Sequence, residues 1–166
     1  LWLGGSLGGL SLMNPATHQC RAFGDVVPGG ESIHHVYAFA EDKFKTVWMC
    51  TNGDFLYGYN LETKQLIHYH NGTNNPELNI IHNSYISGIL IKDNMMYLAT
   101  SDGMEVLTIT GVNRLRWEKK ILARTNVSQI ACDGTTIWAS TNAGLAKVNS
   151  IDLSSQMITT ADGLPS

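Results

Sequence analysis

The chain is 166 residues long, 43% hydrophobic and 15% charged, with 11 Lys and Arg against 14 Asp and Glu for a formal charge of −3. That length suits about one domain, and that balance suits a packed chain rather than a disordered one. No basic cluster supplies the electrostatic attraction of a nucleic-acid binder, and no apolar run approaches the ~20 residues that cross a bilayer; neither nucleic acid nor membrane contact by this segment is expected.

Taken in order, the turn signals divide the chain into short strands. Strands are expected at 1–5, 9–13 and 19–23, with Asn14-Pro15 between the last two, because Pro cannot donate to a ladder and Asn starts turns. The stretch 24–30, with Pro28-Gly29-Gly30, reads as a crossing loop. Strands at 33–40, 46–51, 55–60 and 65–70 follow; Tyr57, Tyr59 and Leu61 alternate with Leu56, Gly58 and Asn60, the period of a strand. A polar loop, 71–79, precedes strands at 86–92, 95–100, 104–110 and 115–123. The last set is 127–132, 136–141, 145–149 and 156–160. No stretch carries a sustained 3.6-residue apolar stripe, so essentially no helix is predicted.

One phrase recurs through these strands. Trp2-Leu-Gly-Gly-Ser runs to Leu10, Trp48-Met-Cys-Thr-Asn-Gly to Leu56, Tyr97-Leu-Ala-Thr-Ser-Asp-Gly to Met104, and Trp138-Ala-Ser-Thr-Asn-Ala-Gly to Leu145. An all-β unit recurring every ~40–50 residues has the period of a propeller blade. The expected fold is therefore all-β, a partial β-propeller of about four blades of four-stranded antiparallel sheets. The blades are placed at 1–24 (lacking its innermost strand), 31–71, 84–124 and 126–161, with the next repeat starting at 162–166. Residues 1–5 resemble the middle of a blade and lack the charged flank of a signal peptide. An arc of four blades leaves two sheet faces bare, so the expected partners are the remaining blades of a parent protein or a second copy of the chain.

Several residues invite a chemical reading. Asp42, Asp93 and Asp133 each close the first strand of a repeat, which makes them turn residues rather than a catalytic set. Cys20, Cys50 and Cys132 are odd in number and lack CxxC spacing, so neither a disulfide framework nor a zinc site is expected; Cys50 and Cys132 fall within strands, as small apolar residues do. His68 and His70 share a face of one strand, but a metal needs a third ligand; His34 and His35 point to opposite faces. No cofactor is expected. Trp2, Trp48 and Trp138 recur once per repeat and are expected between sheets, whereas Trp117, among Arg114, Arg116 and Lys119, lies outside the repeat position on an outer strand. A ligand site on such a scaffold is expected at the rim, where the loops between blades meet the turns between second and third strands. The candidates there are Asn75, Asn79, His82, Asn83 and Tyr85, with Asn52 and Asn142 from the turns.

The phrase Asp162-Gly163-Leu164-Pro165-Ser166, preceded by Ile158-Thr159-Thr160, resembles the DGLP phrase of the two-component regulator propeller repeat. The other pieces of that repeat are Trp2-Leu-Gly with Gly8-Gly9-Leu10, Asp42 with Trp48 and Thr51, and Asp133 with Trp138 and Thr141; the third unit departs from it with Tyr97 and Gly103-Met104. The resemblance implies the periplasmic sensor region of a hybrid two-component system, binding an oligosaccharide and relaying a signal to a histidine kinase outside this chain. It implies no catalysis by the chain itself. Two other classes compete: an interaction scaffold that positions other domains, and a propeller lyase or hydrolase, which a converging His/Glu pair would favour.

Overall fold

The computed structural model describes residues 1–5, 9–25 and 33–165. The crossing loop expected at 24–30 falls largely outside them, as do Gly8 and Ser166. The described residues form four antiparallel sheets whose strands follow one another in chain order. The first holds β1 (Trp2–Gly5), β2 (Gly9–Met13) and β3 (Cys20–Ala22); the second β4 (Val36–Glu41), β5 (Thr46–Thr51), β6 (Leu56–Asn60) and β7 (Leu66–Tyr69). The third holds β8 (Ile86–Lys92), β9 (Met95–Thr100), β10 (Gly103–Gly111) and β11 (Arg114–Ile121); the fourth β12 (Val127–Asp133), β13 (Thr136–Thr141), β14 (Gly144–Asn149) and β15 (Ser155–Ile158). Among the described residues the helical content is two short 3-10 turns, Phe23–Asp25 and Thr160–Asp162. The second is the DGLP phrase: Thr159 and Asp162 form a reciprocal capping box, and Gly163 closes the turn at φ 98°.

The sheets stack face to face, and strand periodicity explains how. Along β5, Val47 and Met49 pack with Leu10, Phe23 and Tyr59 against the first sheet. Their neighbours Trp48 and Cys50 point the other way, against Met96, Leu98, Leu107 and Ile109 of the third. A strand covered on both faces is apolar throughout rather than alternating, and all six residues of β5 are buried. The third and fourth sheets repeat the arrangement around Tyr97, Met104, Val106, Ile137 and Val148.

A polar tie joins the second and third sheets at their outer corner. Asn113, in the β10–β11 turn at φ 54°, is buried. Its Oδ1 accepts the Thr46 hydroxyl at 3.2 Å, its Nδ2 donates to Gln65 O at 3.2 Å, and its carbonyl accepts the Tyr69 hydroxyl at 2.9 Å. Positive φ suits Asn better than most side chains, so one residue supplies both the turn and the inter-sheet bonds.

Two expectations need correction. Trp138 belongs to none of the three buried clusters and is only half-buried, because the third sheet covers just one face of the fourth; Lys147 lies over its ring at 5.8 Å. Cys132 is exposed, unlike buried Cys50, since β12 borders its sheet and its thiol reaches only Gly134 O at 3.3 Å. The three turn aspartates are also not equivalent: Asp42 is buried, whereas Asp93 and Asp133 are exposed.

Candidate functional site

The innermost strands β4, β8 and β12 share one irregularity. Each ladder slips by a residue at its start, between Val36 and Ala38, Ile86 and Gly88, and Val127 and Gln129. The residues that the ladder register skips are Tyr37, Ser87 and Ser128. A bulge re-aims the side chain it frees, and here it does so at the same point of each repeat.

A concave depression of about 440 Å³ opens at this end of the strands, lined by Tyr37, Asn52, Tyr85, Ile86, Ser87, Ser101 and Asn126. Tyr37 and Tyr85 are 52% and 57% exposed, unusual for tyrosines in a chain that buries Tyr57, Tyr59, Tyr69 and Tyr97. Amide and hydroxyl groups surround them. Two flat faces with hydrogen-bonding groups between them suit a ligand that offers both apolar faces and hydroxyls.

Of the expected rim residues, Asn52 and Tyr85 line this depression and pair with each other as an isolated antiparallel bridge. Asn142 stands one step back. Its Oδ1 accepts the Asn126 backbone N–H at 3.0 Å, and its own N–H donates to Asn126 O at 3.1 Å, so it holds Asn126 at the edge. Asn83 is an anchor: its Oδ1 accepts the Tyr85 N–H at 2.9 Å and its Nδ2 donates to the Ser101 hydroxyl at 3.1 Å. Asn75 and Asn79 are exposed in the 71–80 turn outside the depression; Asn75 Oδ1 accepts the Glu77 N–H at 3.0 Å, and Asn75 O accepts the Asn79 N–H at 3.1 Å. Tyr37, Ser87 and Asn126 escaped the sequence reading. The signal was present, since Tyr37 and Ser87 each follow the first apolar residue of an inner strand, but it becomes legible only with the ladder register.

His82 meets Glu105, a converging His/Glu pair beside the rim. The Glu105 carboxylate accepts the His82 backbone N–H at 3.1 and 3.2 Å, its Oε2 lies 3.5 Å from His82 Nδ1, and the His82 ring meets Trp117 edge-on at 5.1 Å. Burial pushes the Glu105 carboxyl above the usual range, while the His82 N–H and ring and Lys120 pull it down. Yet the Glu105 side chain is 0% exposed, so no substrate reaches it. The buried carboxylate fastens the loop that carries His82, whose own ring is half exposed. Below the carboxyl, Asp102 accepts Lys120 Nζ and the Arg124 N–H, both at 2.9 Å, which hold its carboxyl below the usual range.

His68 and His70 do share a face, in a stack with Tyr57: Tyr57 and His68 lie 3.9 Å apart at 9°, His68 and His70 4.4 Å apart. Tyr57 donates to Asp54 Oδ2 at 2.6 Å. Among the described residues no group of three or more His, Cys, Asp or Glu side chains is placed to hold a metal ion. No described helix is long and apolar enough to cross a membrane.

No protein-family model matches the chain, and no curated protein matches it. Solved structures match it in fold. One is the extracellular domain of a B. thetaiotaomicron protein described as a hybrid two-component system, at 18% identity and TM-score 0.70 over 93% of this chain and 21% of that one. Another, from the same organism, is the extracellular domain of a protein described as a one-component system, at 18% identity and TM-score 0.69 over 94% and 20%. A third is the β-propeller domain of Myceliophteria thermophila Cps50 (Swd1), at 11% identity and TM-score 0.61 over 95% and 52%. The chain thus spans about a fifth of the length of the two bacterial structures. At these identities the likeness establishes the architecture: an arc of β-propeller blades.

Proposed function

We propose that this chain is the ligand-sensing propeller portion of a periplasmic hybrid two-component sensor, taking an oligosaccharide at its rim and passing a conformational signal to a histidine kinase outside this chain. The observation that carries the reading is the pair of exposed tyrosines, Tyr37 and Tyr85, facing one depression among Asn52, Ser101 and Asn126. Sugar rings stack their C–H faces on aromatic rings while amides and hydroxyls meet their hydroxyl groups. The DGLP and Trp phrases resemble the repeat used by such receptors, and two similar structures are extracellular domains of a hybrid and a one-component system. The chain itself does no catalysis in this proposal, and its blades complete a ring with the rest of a parent protein or with a second copy.

The test is an array of neutral plant and host oligosaccharides probed with the purified 166-residue chain, followed by titration of each hit. Tyr37→Ala and Tyr85→Ala should each weaken a genuine hit at least tenfold with the melting temperature unchanged. A chain that binds no oligosaccharide would favour the scaffold reading. Binding that survives both substitutions would move the site away from this rim.

A further inference from the structure

A second and larger concavity lies on the periphery, about 1430 Å³, between the outermost strands of the second and third sheets. It shares no lining residue with the rim depression. Its volume exceeds the ~300–1,000 Å³ of a typical small-molecule pocket, so its natural occupant is a chain segment. We infer that this cleft is a docking site for an acidic, extended peptide segment of a partner protein.

Charge is the first argument. Lys64, Arg114 and Arg116 line the cleft against a single acidic lining residue, Glu77, in a chain whose net charge is −3. Arg116 also holds Glu118 at 2.8 Å, leaving the cleft still net cationic. Outer-strand cations can simply guard an edge against aggregation. The repeat does not require them, though: β15, the equivalent edge of the fourth sheet, reads Ser-Gln-Met-Ile without a charge.

The second argument is the cleft's apolar ground. Of the large hydrophobic side chains that stand exposed, Val112 at 41% and Trp117 at 37% both line it. Trp117 is the tryptophan that the repeat does not explain, and Trp and Arg are the residue types that anchor interfaces.

The third argument selects a peptide over an anionic polysaccharide. Both walls are border strands, β7 and β11, each laddered on one side only. The Leu115 N–H of β11 already donates to the Tyr69 hydroxyl at 3.0 Å; the rest of such a border offers backbone donors and acceptors in alternation, which an extended peptide matches and a sugar chain does not.

The experiment uses the whole chain and a fluorescein-labelled nonapeptide alternating Glu and Val, read by anisotropy, with Lys/Val and Ser/Val peptides as controls. The acidic peptide should bind at least tenfold more tightly than either control, with affinity falling steeply between 50 and 300 mM salt on the order expected for several screened charge pairs. Arg114→Glu combined with Arg116→Glu should abolish that preference. Lys64→Glu on the opposite wall should weaken binding severalfold, and it serves as the deciding variant if the double substitution does not fold. Trp117→Phe should remove a tryptophan emission shift seen on binding. Equal binding of the three peptides, affinity indifferent to charge reversal, or binding of dextran sulfate but not of the acidic peptide would each overturn the inference. Rim variants such as Tyr85→Ala should leave peptide binding intact, so this test stands apart from that of the rim.

Discussion

The carboxylate of Asp42 accepts the indole N–H of Trp48 at 2.9 Å, six residues along the chain and beneath the face of the next sheet. Its other oxygen accepts the backbone N–H groups of Phe44 at 2.8 Å and Thr46 at 2.9 Å, so one side chain closes the β4–β5 turn and fixes the rotamer of the largest core residue. In this repeat the Asp is both a turn residue and the polar partner that lets a tryptophan be fully buried.

Asp42→Ala should therefore cost about 3 kcal/mol, because it orphans three donors, two of them backbone. Asp133→Ala, at the matching but exposed position of the fourth sheet, should stay within about 0.5 kcal/mol. Urea unfolding monitored by tryptophan emission measures both. Equal losses would mean that the Asp42 network contributes no more than a turn.

A second contrast lies on the neighbouring rung. Trp48 pairs across the ladder with Gly58, and Trp138 with Lys147. A Cβ on Gly58 would stand 2.7 Å from the Trp48 ring, which is fully buried and cannot withdraw. Gly58→Ala should cost about 1–3 kcal/mol by overpacking, and Trp48→Ala about 3–5 kcal/mol. In the fourth sheet the same rung faces outward, and Lys147→Ala should cost at most about 0.5–1 kcal/mol, the worth of an exposed cation–π contact. If Lys147→Ala and Gly58→Ala prove equally disruptive, the fourth sheet's outer face is covered in solution.

These comparisons show what could be read from the sequence and what could not. Strand positions followed from local chemistry, as Asn14-Pro15, Asp93-Asn94 and Ser101-Asp102-Gly103 terminate strands wherever they stand. The burial of Trp48 followed from its recurrence. The half-exposure of Trp138 did not, because it depends on whether another sheet covers the fourth, a non-local fact that a local phrase does not encode. The rim was legible in part: polar loops pointed to Asn52 and Tyr85, but Tyr37 reaches the depression through a one-residue slip in register, invisible before the strands are paired. Glu105 was missed because it sits in the apolar run Met104–Leu107, and only the fold brings the His82 N–H to it.

Glu105 also makes stability depend on pH with a definite sign. Burial favours its protonated form against the pull of the His82 N–H, the His82 ring and Lys120, so the folded chain holds this proton to higher pH than the unfolded chain. Stability linked to the group is full below the ordinary glutamate value, about 4.3. It falls as pH rises from there through the raised folded value. Glu105→Gln keeps an acceptor for the His82 N–H but no longer titrates. The melting temperature of the variant relative to the parent should therefore rise from pH 4 to pH 8. A difference that stays constant across this range would show that Glu105 is ionised as easily in the fold as in water.

The last prediction concerns how the rim holds Tyr85. Residues 82–85 are gripped from both sides: Glu105 and Ser101 of the third sheet take His82 and Asn83, while Gly53 and Phe55 of the second donate to Ser84 O at 2.8 and 3.3 Å. Asn83 is the hinge of this grip, since its amide meets the Ser101 hydroxyl and its Oδ1 fixes the Tyr85 N–H at 2.9 Å. Asn83→Ala should cost about 1 kcal/mol, and Ser101→Ala somewhat less. Because the two side chains bond each other, Asn83 Nδ2 donating to the Ser101 hydroxyl and that hydroxyl to Asn83 Oδ1, the double variant should lose less than the two singles together, with a coupling of about 0.5–1 kcal/mol. Hydrogen exchange should quicken at the amides of 83–85 in either single variant and stay unchanged in β9 outside residues 99–100. Strict additivity, with protection at Tyr85 unaltered, would mean that the bridge to Asn52 alone positions the tyrosine.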